Sequence, residues 1–84
     1  MKNKYDPIFD FLQSYNPNER EVTLTFVQIE KIINAKLPYS AHNHRAWWAN
    51  ETEGSHVHAK AWMEAGWLVD TVDLSRLWVT FRRK

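Results

Sequence analysis

The 84-residue chain contains no cysteine, and that absence sets the terms on which it can fold. A chain this short buries only roughly 60% of the surface its unfolded form exposes, so its core is thin. Without cysteine, neither a disulfide nor a thiolate-held zinc ion can reinforce that core. Stability has to come from large apolar side chains. Five tryptophans, four phenylalanines and three tyrosines are available, and each ring removes much apolar area from water when buried. Most of these aromatics are therefore expected to be structural. The chain is long enough for one domain, expected to be a small α+β domain spanning residues 1–84.

Local patterns predict its elements. Asp6-Pro7 starts a first helix, with Asp6 as cap and Pro7 at the first helical position. Ile8, Phe9, Phe11, Leu12 and Tyr15 give it a broad apolar face, and Asn16-Pro17-Asn18 ends it. Glu21 to Thr25 alternates polar and apolar residues, which predicts a short strand. Thr25-Phe26-Val27-Gln28 has capping-box spacing and opens a second helix. Phe26, Ile29, Ile32 and Ile33 form its stripe, and Asn34 is a left-handed terminator. Pro38 is tolerated only at a helix start, so Tyr39 to Arg45 is expected to hold one or two helical turns.

Ala46 to Asn50, with its paired tryptophans, is expected to be a short strand or extended segment, followed by a polar loop. Ser55 caps a third full helix through Glu64, with Val57, Ala61, Trp62 and Ala65 inward and Gly66 as its stop. Trp67 to Leu74 and Leu77 to Arg83 form a C-terminal antiparallel hairpin. Leu77, Val79 and Phe81 share one face of its second strand, and Trp78, Thr80 and Arg82 the other. The alternation slips between Val69 and Val72, which predicts a bulge or two-sided burial. Three helices with a small antiparallel sheet ending in a hairpin give a winged-helix-like order, with Thr25 to Arg45 as the helix-turn-helix and the hairpin as the wing.

No apolar run approaches the roughly 18 residues of a membrane span, and the charged start Met1-Lys2-Asn3-Lys4 has no signal core behind it. A cytoplasmic, membrane-free protein is expected. The net charge of +1 creates no global field. Up to Glu30 the chain has three basic and five acidic residues, and from Lys31 onward eight and five. An anionic partner should therefore meet the C-terminal half.

Tyr5-Asp6-Pro7, Leu24-Thr25-Phe26, Leu37-Pro38 with Ser40-Ala41, and His44-Arg45 with Trp47-Trp48-Ala49-Asn50 together resemble an uncharacterised family of small prokaryotic domains. Ser55-His56, Ala59 to Trp62, Ala65-Gly66-Trp67, Val72-Asp73-Leu74 and Val79 to Arg83 continue the match over nearly the whole chain. His42 and His58 stand outside the pattern. The resemblance brings no established activity. Such domains look like free-standing proteins or appendages near restriction and mobile-element genes, which implies a DNA-related role.

The loudest constellation is His44-Arg45-x-Trp47-Trp48-x-Asn50. Arg45 offers a planar fork for phosphate or a guanine edge, Asn50 a bidentate amide for adenine, and a tryptophan a stacking platform. On a strand, however, neighbours face opposite ways, so one tryptophan is expected in the core. The sequence does not say which. Lys60, Arg76, Arg82, Arg83 and Lys84 form a second, basic set suited to phosphates. Arg82 shares a hairpin face with Trp78, a pairing common to nucleic-acid surfaces and protein hot spots.

His42-x-His44 and His56-x-His58 supply four imidazoles, but residues i and i+2 on a helix diverge by about 200°. No metal site is expected, and the histidines read as surface or hydrogen-bonding groups. Glu51, Glu53 and His56 would be the only acid–base cluster, in what reads as a solvent-facing loop. There is no glycine-rich phosphate loop and no nucleophile elbow. The chain is thus expected to be a non-enzymatic nucleic-acid-binding module without cofactors, DNA more than RNA, using His44, Arg45, Trp47, Trp48, Asn50, Lys60, Arg82 and Arg83. The alternative is a protein-interaction module, such as an inhibitor or accessory subunit of a defence or restriction system. A third option is a small-ligand pocket lined by Trp47, Trp48 and Trp62.

Overall fold

The structure, a computed structural model, describes residues 3–51 and 57–84. Its elements in chain order are α1 (Asp6–Gln13), β1 (Glu21–Thr25), α2 (Phe26–Ile33), α3 (Tyr39–Asn43), a 3-10 helix (Arg45–Trp48), α4 (Val57–Met63), β2 (Trp67–Asp73) and β3 (Trp78–Arg83). The strands form one antiparallel sheet in the order β1-β3-β2. This is the expected α+β architecture with a C-terminal hairpin. The turns expected at Tyr39 to Arg45 include a helix of their own, α3, which makes four α-helices among the described residues.

Thr25 caps α2 through a full capping box. Its hydroxyl accepts from the Gln28 N–H, and the Gln28 side chain accepts from the Thr25 N–H. Asn34 ends α2 in the left-handed conformation, with φ 55°. Gly66 takes φ +93° just beyond α4, a conformation that costs glycine little. The cap of α1 differs from expectation. Tyr5 is the N-cap and Pro7 sits one residue further in, while the Asp6 carboxylate turns back to accept from the Asn3 N–H. The expected Ser55 cap of α4 lies outside the described residues.

Two corrections follow from packing. Ala46 to Asn50 is not a strand but is largely a 3-10 helix. Successive side chains on a strand point to opposite faces, whereas on a 3-10 helix they are about 120° apart. The tighter winding lets both Trp47 and Trp48 turn toward the core. In α4, Val57 is exposed and His58 is buried in its stead, with Ala61 and Trp62. His58, Ala61 and Trp62 follow i, i+3, i+4 spacing, so the inward stripe runs through the histidine.

One core joins the helices to the inner face of the sheet. Leu12, Phe26, Trp67, Val79 and Phe81 are almost fully enclosed. Val22 and Leu24 on β1 stand opposite Phe81 and Val79 on β3 and share that face. The other face carries Thr23, Thr80, Trp78 and Arg82, all half-buried or exposed. The slip in β2 is a register shift between Val69 and Thr71, which leaves Asp70 as the extra residue. Leu77, expected in β3, is instead the last residue of the hairpin turn, with φ 62°. Among the described residues no helix is long and apolar enough to cross a membrane.

Candidate binding surface

The His44–Asn50 segment is built against the free edge of β2. His44 ends α3 in an extended conformation, and its carbonyl accepts from the Trp47 N–H at 2.9 Å to start the 3-10 helix. Trp48 is the core tryptophan. It is 3% exposed, packs on Phe26 and stacks on Trp62, and donates from Nε1 to the Ala41 carbonyl at 2.9 Å.

Trp47 is half-buried and lies flat on the His58 ring, with centroids 3.8 Å apart and planes 3° apart. Nε2 of His58 is 2.6 Å from the Trp47 carbonyl oxygen. A carbonyl only accepts, so Nε2 carries the proton and donates. Tyr5 meets both rings edge-on, and burial pushes its phenol above the usual tyrosine range.

Arg45 and Asn50 face β2. The Asn50 amide NH₂ donates to the Val69 carbonyl at 2.9 Å, and its oxygen accepts from the Val69 N–H at 2.8 Å. The same oxygen accepts from Trp62 Nε1 at 2.9 Å. The side chain thus mimics a neighbouring strand and ties α4 to it. Arg45 donates through Nη1 to the Val72 carbonyl. Both functional-looking groups are engaged in sealing the sheet edge. A shallow groove of about 320 Å³ runs between this segment and β2, bounded by Arg45, Asn50, Asp70 and Thr71.

The remaining basic residues do not gather beside them. Arg82 and Arg83 are sequence neighbours on β3, so they face opposite sides of the sheet. Arg82 pairs with Asp70 at 3.2 Å on the outer face. Arg83 lies over the Trp67 ring at 4.3 Å. It donates to the carbonyls of Glu19, Asn16 and Tyr15 at 2.7, 2.9 and 3.4 Å, fastening the end of the α1–β1 turn. Lys60 is exposed on α4, in an open groove of about 340 Å³ against α1 that also presents Asp6, Asp10 and Glu64. His44 is exposed, with the Tyr39 ring 6.2 Å away.

Trp47, Trp48 and Trp62 do line a common cavity, as the ligand-pocket reading requires, together with Tyr5, Ile8 and Phe81. Its volume is about 10 Å³, near the lower limit for one water molecule. It has no room for a small-molecule ligand. Among the described residues no three histidine, aspartate or glutamate side chains converge to hold a metal ion. Of the acid–base trio Glu51, Glu53 and His56, the last two lie outside the described residues.

Sequence reasoning gave too little weight to the outer face of the sheet. Trp78 and Arg82 project there from β3, and their cross-strand partners are Thr25 and Asp73, and Glu21 and Leu68. Thr23 and Thr80 join hydroxyls at 2.7 Å between them. The signal was the alternation of β3 itself. It missed the carboxylates, because these arrive from two other strands whose register the sequence does not print. Asp73 is further held by the hairpin turn. Its Oδ1 accepts from the Arg76 N–H, the Ser75 N–H and the Ser75 hydroxyl. The Arg76 backbone bond and then the Ser75 hydroxyl keep its carboxyl below the usual aspartate range.

A family profile described as a domain of unknown function (DUF7662) matches residues 5–84. No curated protein matches the chain, and no solved structure does.

Proposed function

The chain belongs to the DUF7662 family of domains of unknown function, and we propose that it is a non-enzymatic protein-interaction module that docks through the outer face of its sheet. The observation that carries this reading is the make-up of that face. Trp78 and Arg82 lie among threonines, with Glu21, Asp70 and Asp73 around them. Tryptophan and arginine are the residue types that most often anchor protein interfaces. Three carboxylates outnumber the guanidiniums of Arg82 and, beside Asp73, of Arg76, a balance that disfavours a phosphate backbone and favours a partner with a basic rim. An inhibitor or accessory subunit of a defence or restriction system fits that role.

A DNA-binding reading keeps the winged-helix-like element order and the exposed Lys60 and His44. It has less to work with elsewhere, because the donors of Asn50 and Arg83 and one arm of Arg45 bond to the chain's own backbone. Base readout needs a free bidentate amide or guanidinium.

Capture from a nuclease-treated host lysate, read by mass spectrometry, separates the two. The proposal expects a stoichiometric protein partner, lost with Trp78→Ala and with Arg82→Glu but retained with Lys60→Ala and His44→Ala. Capture indifferent to Trp78→Ala would contradict it. So would a salt-dependent electrophoretic shift of DNA that is abolished by Lys60→Ala with His44→Ala.

A further inference from the structure

The two edges of the sheet are finished differently. The β2 edge is interrupted by a bulge and covered by Asn50 and Arg45. Among the described residues the β1 edge has no such cover. Phe26 N–H donates to the Leu77 carbonyl and Arg83 N–H to the Arg20 carbonyl, both at 2.9 Å. These bonds flank a register in which Val22 faces Phe81 and Leu24 faces Val79. In an antiparallel ladder, alternate residues bond to the neighbour and the ones between turn outward. Val22 and Leu24 therefore bond to β3, and Glu21, Thr23 and Thr25 turn their backbone groups to the open edge. The Thr25 N–H is taken by Gln28. As the N-cap of α2, Thr25 also gives its carbonyl to the first intrahelical bond, whereas both backbone groups of Glu21 and of Thr23 have no partner among the described residues.

We propose that this edge pairs with β1 of a second copy, antiparallel about a two-fold axis at Thr23, so that two sheets join into one. The strand is self-complementary in that register. Thr23 meets Thr23 of the copy and each N–H donates to the other's carbonyl. Glu21 meets Thr25 on either side of that pair. The backbone groups of Thr25 add no bond to the ladder, because the capping box and the first turn of α2 already use them, so the Thr23 pair carries the junction. Charge is also matched. Glu21 is the only ionised side chain of the strand, and it falls opposite a hydroxyl, not opposite its own copy, so no like charges face each other. Val27, two residues beyond the strand and 57% exposed, adds apolar area at each end of the junction. Natural sheets blunt a free edge with a bulge, a proline or a central charge. β1 has none of these, while β2 has its bulge and its two side-chain covers. This pairing is independent of the outer face, which it leaves open and extends.

Sedimentation equilibrium of the full chain over a range of concentrations tests the proposal. The expected mass at high concentration is twice the 10.0 kDa chain. Thr23→Pro removes the central edge donor without touching a backbone bond to β3, losing only the hydroxyl contact with Thr80 there, and an edge position tolerates proline. It should halve the mass while leaving the far-ultraviolet circular dichroism unchanged. Thr80→Val removes the same hydroxyl contact as Thr23→Pro and should leave the mass doubled. If Thr23→Pro fails to fold, amide exchange in the wild type decides. The Thr23 amide should be protected at high concentration and exchange freely on dilution. A monomer at every concentration, a dimer that survives Thr23→Pro, or a Thr23 amide indifferent to concentration would overturn the proposal.

Discussion

The hairpin turn shows at single residues how the chain trades local comfort for register. Asp73 closes the turn with three hydrogen bonds from Ser75 and Arg76. Those donors favour the carboxylate, so the folded protein binds fewer protons here than the unfolded chain near the usual aspartate pKa of about 4. The resulting stability is present above that value and is lost as pH falls from it through the lower pKa of the folded state. Thermal unfolding followed across that range should therefore show a smaller acid-side drop for Asp73→Asn than for the wild type. Leu77 ends the same turn at φ 62°, where a side chain costs roughly 1–2 kcal/mol. It is 38% exposed, so glycine forfeits little burial. Leu77→Gly is expected to raise stability by about 1 kcal/mol in urea titration, and a loss of stability would show that the Leu77 side chain packs more usefully than its exposure suggests. The sequence signalled a turn between Leu74 and Leu77, but not that a leucine would occupy its left-handed position. Branched apolar residues there are disfavoured locally, and the conformation is held from both sides, by the Leu77 N–H donating to the Asp73 carbonyl at 2.8 Å and by Phe26 N–H donating to the Leu77 carbonyl.

Elements whose signals are local were legible, and elements shaped by packing were not. The capping box at Thr25, the terminator at Asn34 and the slip in β2 each depend on residues within a few positions, and each stands where the pattern put it. The paired tryptophans are the opposite case. Their β propensity suggested a strand, but the need to seat Trp48 under Phe26 and Trp62 while Trp47 covers His58 imposes a 3-10 helix. Tertiary burial overrides propensity of this kind. The two rings therefore differ in energetic weight. Trp48→Ala should cost about 3–5 kcal/mol, enough to unfold a thin core, and should give a chain without a cooperative thermal transition. Trp47→Ala should remain folded with a lowered midpoint, because that ring is only half-buried. Equal effects would mean that the 3-10 helix does not divide them as described. The burial of His58 was not legible, because a polar residue seldom lies in an apolar stripe. Its i, i+3, i+4 relation to Ala61 and Trp62 was the available sign.

At the scale of the whole molecule, one segment closes the β2 edge of the sheet, and the outer face is the surface proposed to meet a partner. Arg45, Trp48 and Asn50 read as ligand-binding groups because their chemistry suits phosphate and bases, and sequence carries no information on what already satisfies them. The folded chain supplies the partners itself, from the backbone of β2, the carbonyl of Ala41 and the indole of Trp62. The outer face was half legible, since Trp78 and Arg82 lie on one strand, while Glu21 and Asp73 join them only through cross-strand register. Equilibrium urea unfolding of Asn50→Ala tests this division most directly. Truncation leaves the Val69 N–H and the Trp62 Nε1–H without their acceptor, and the expected loss is about 2 kcal/mol. An unfolding free energy equal to that of the wild type would contradict the account and return Asn50 to the list of groups free to bind a ligand.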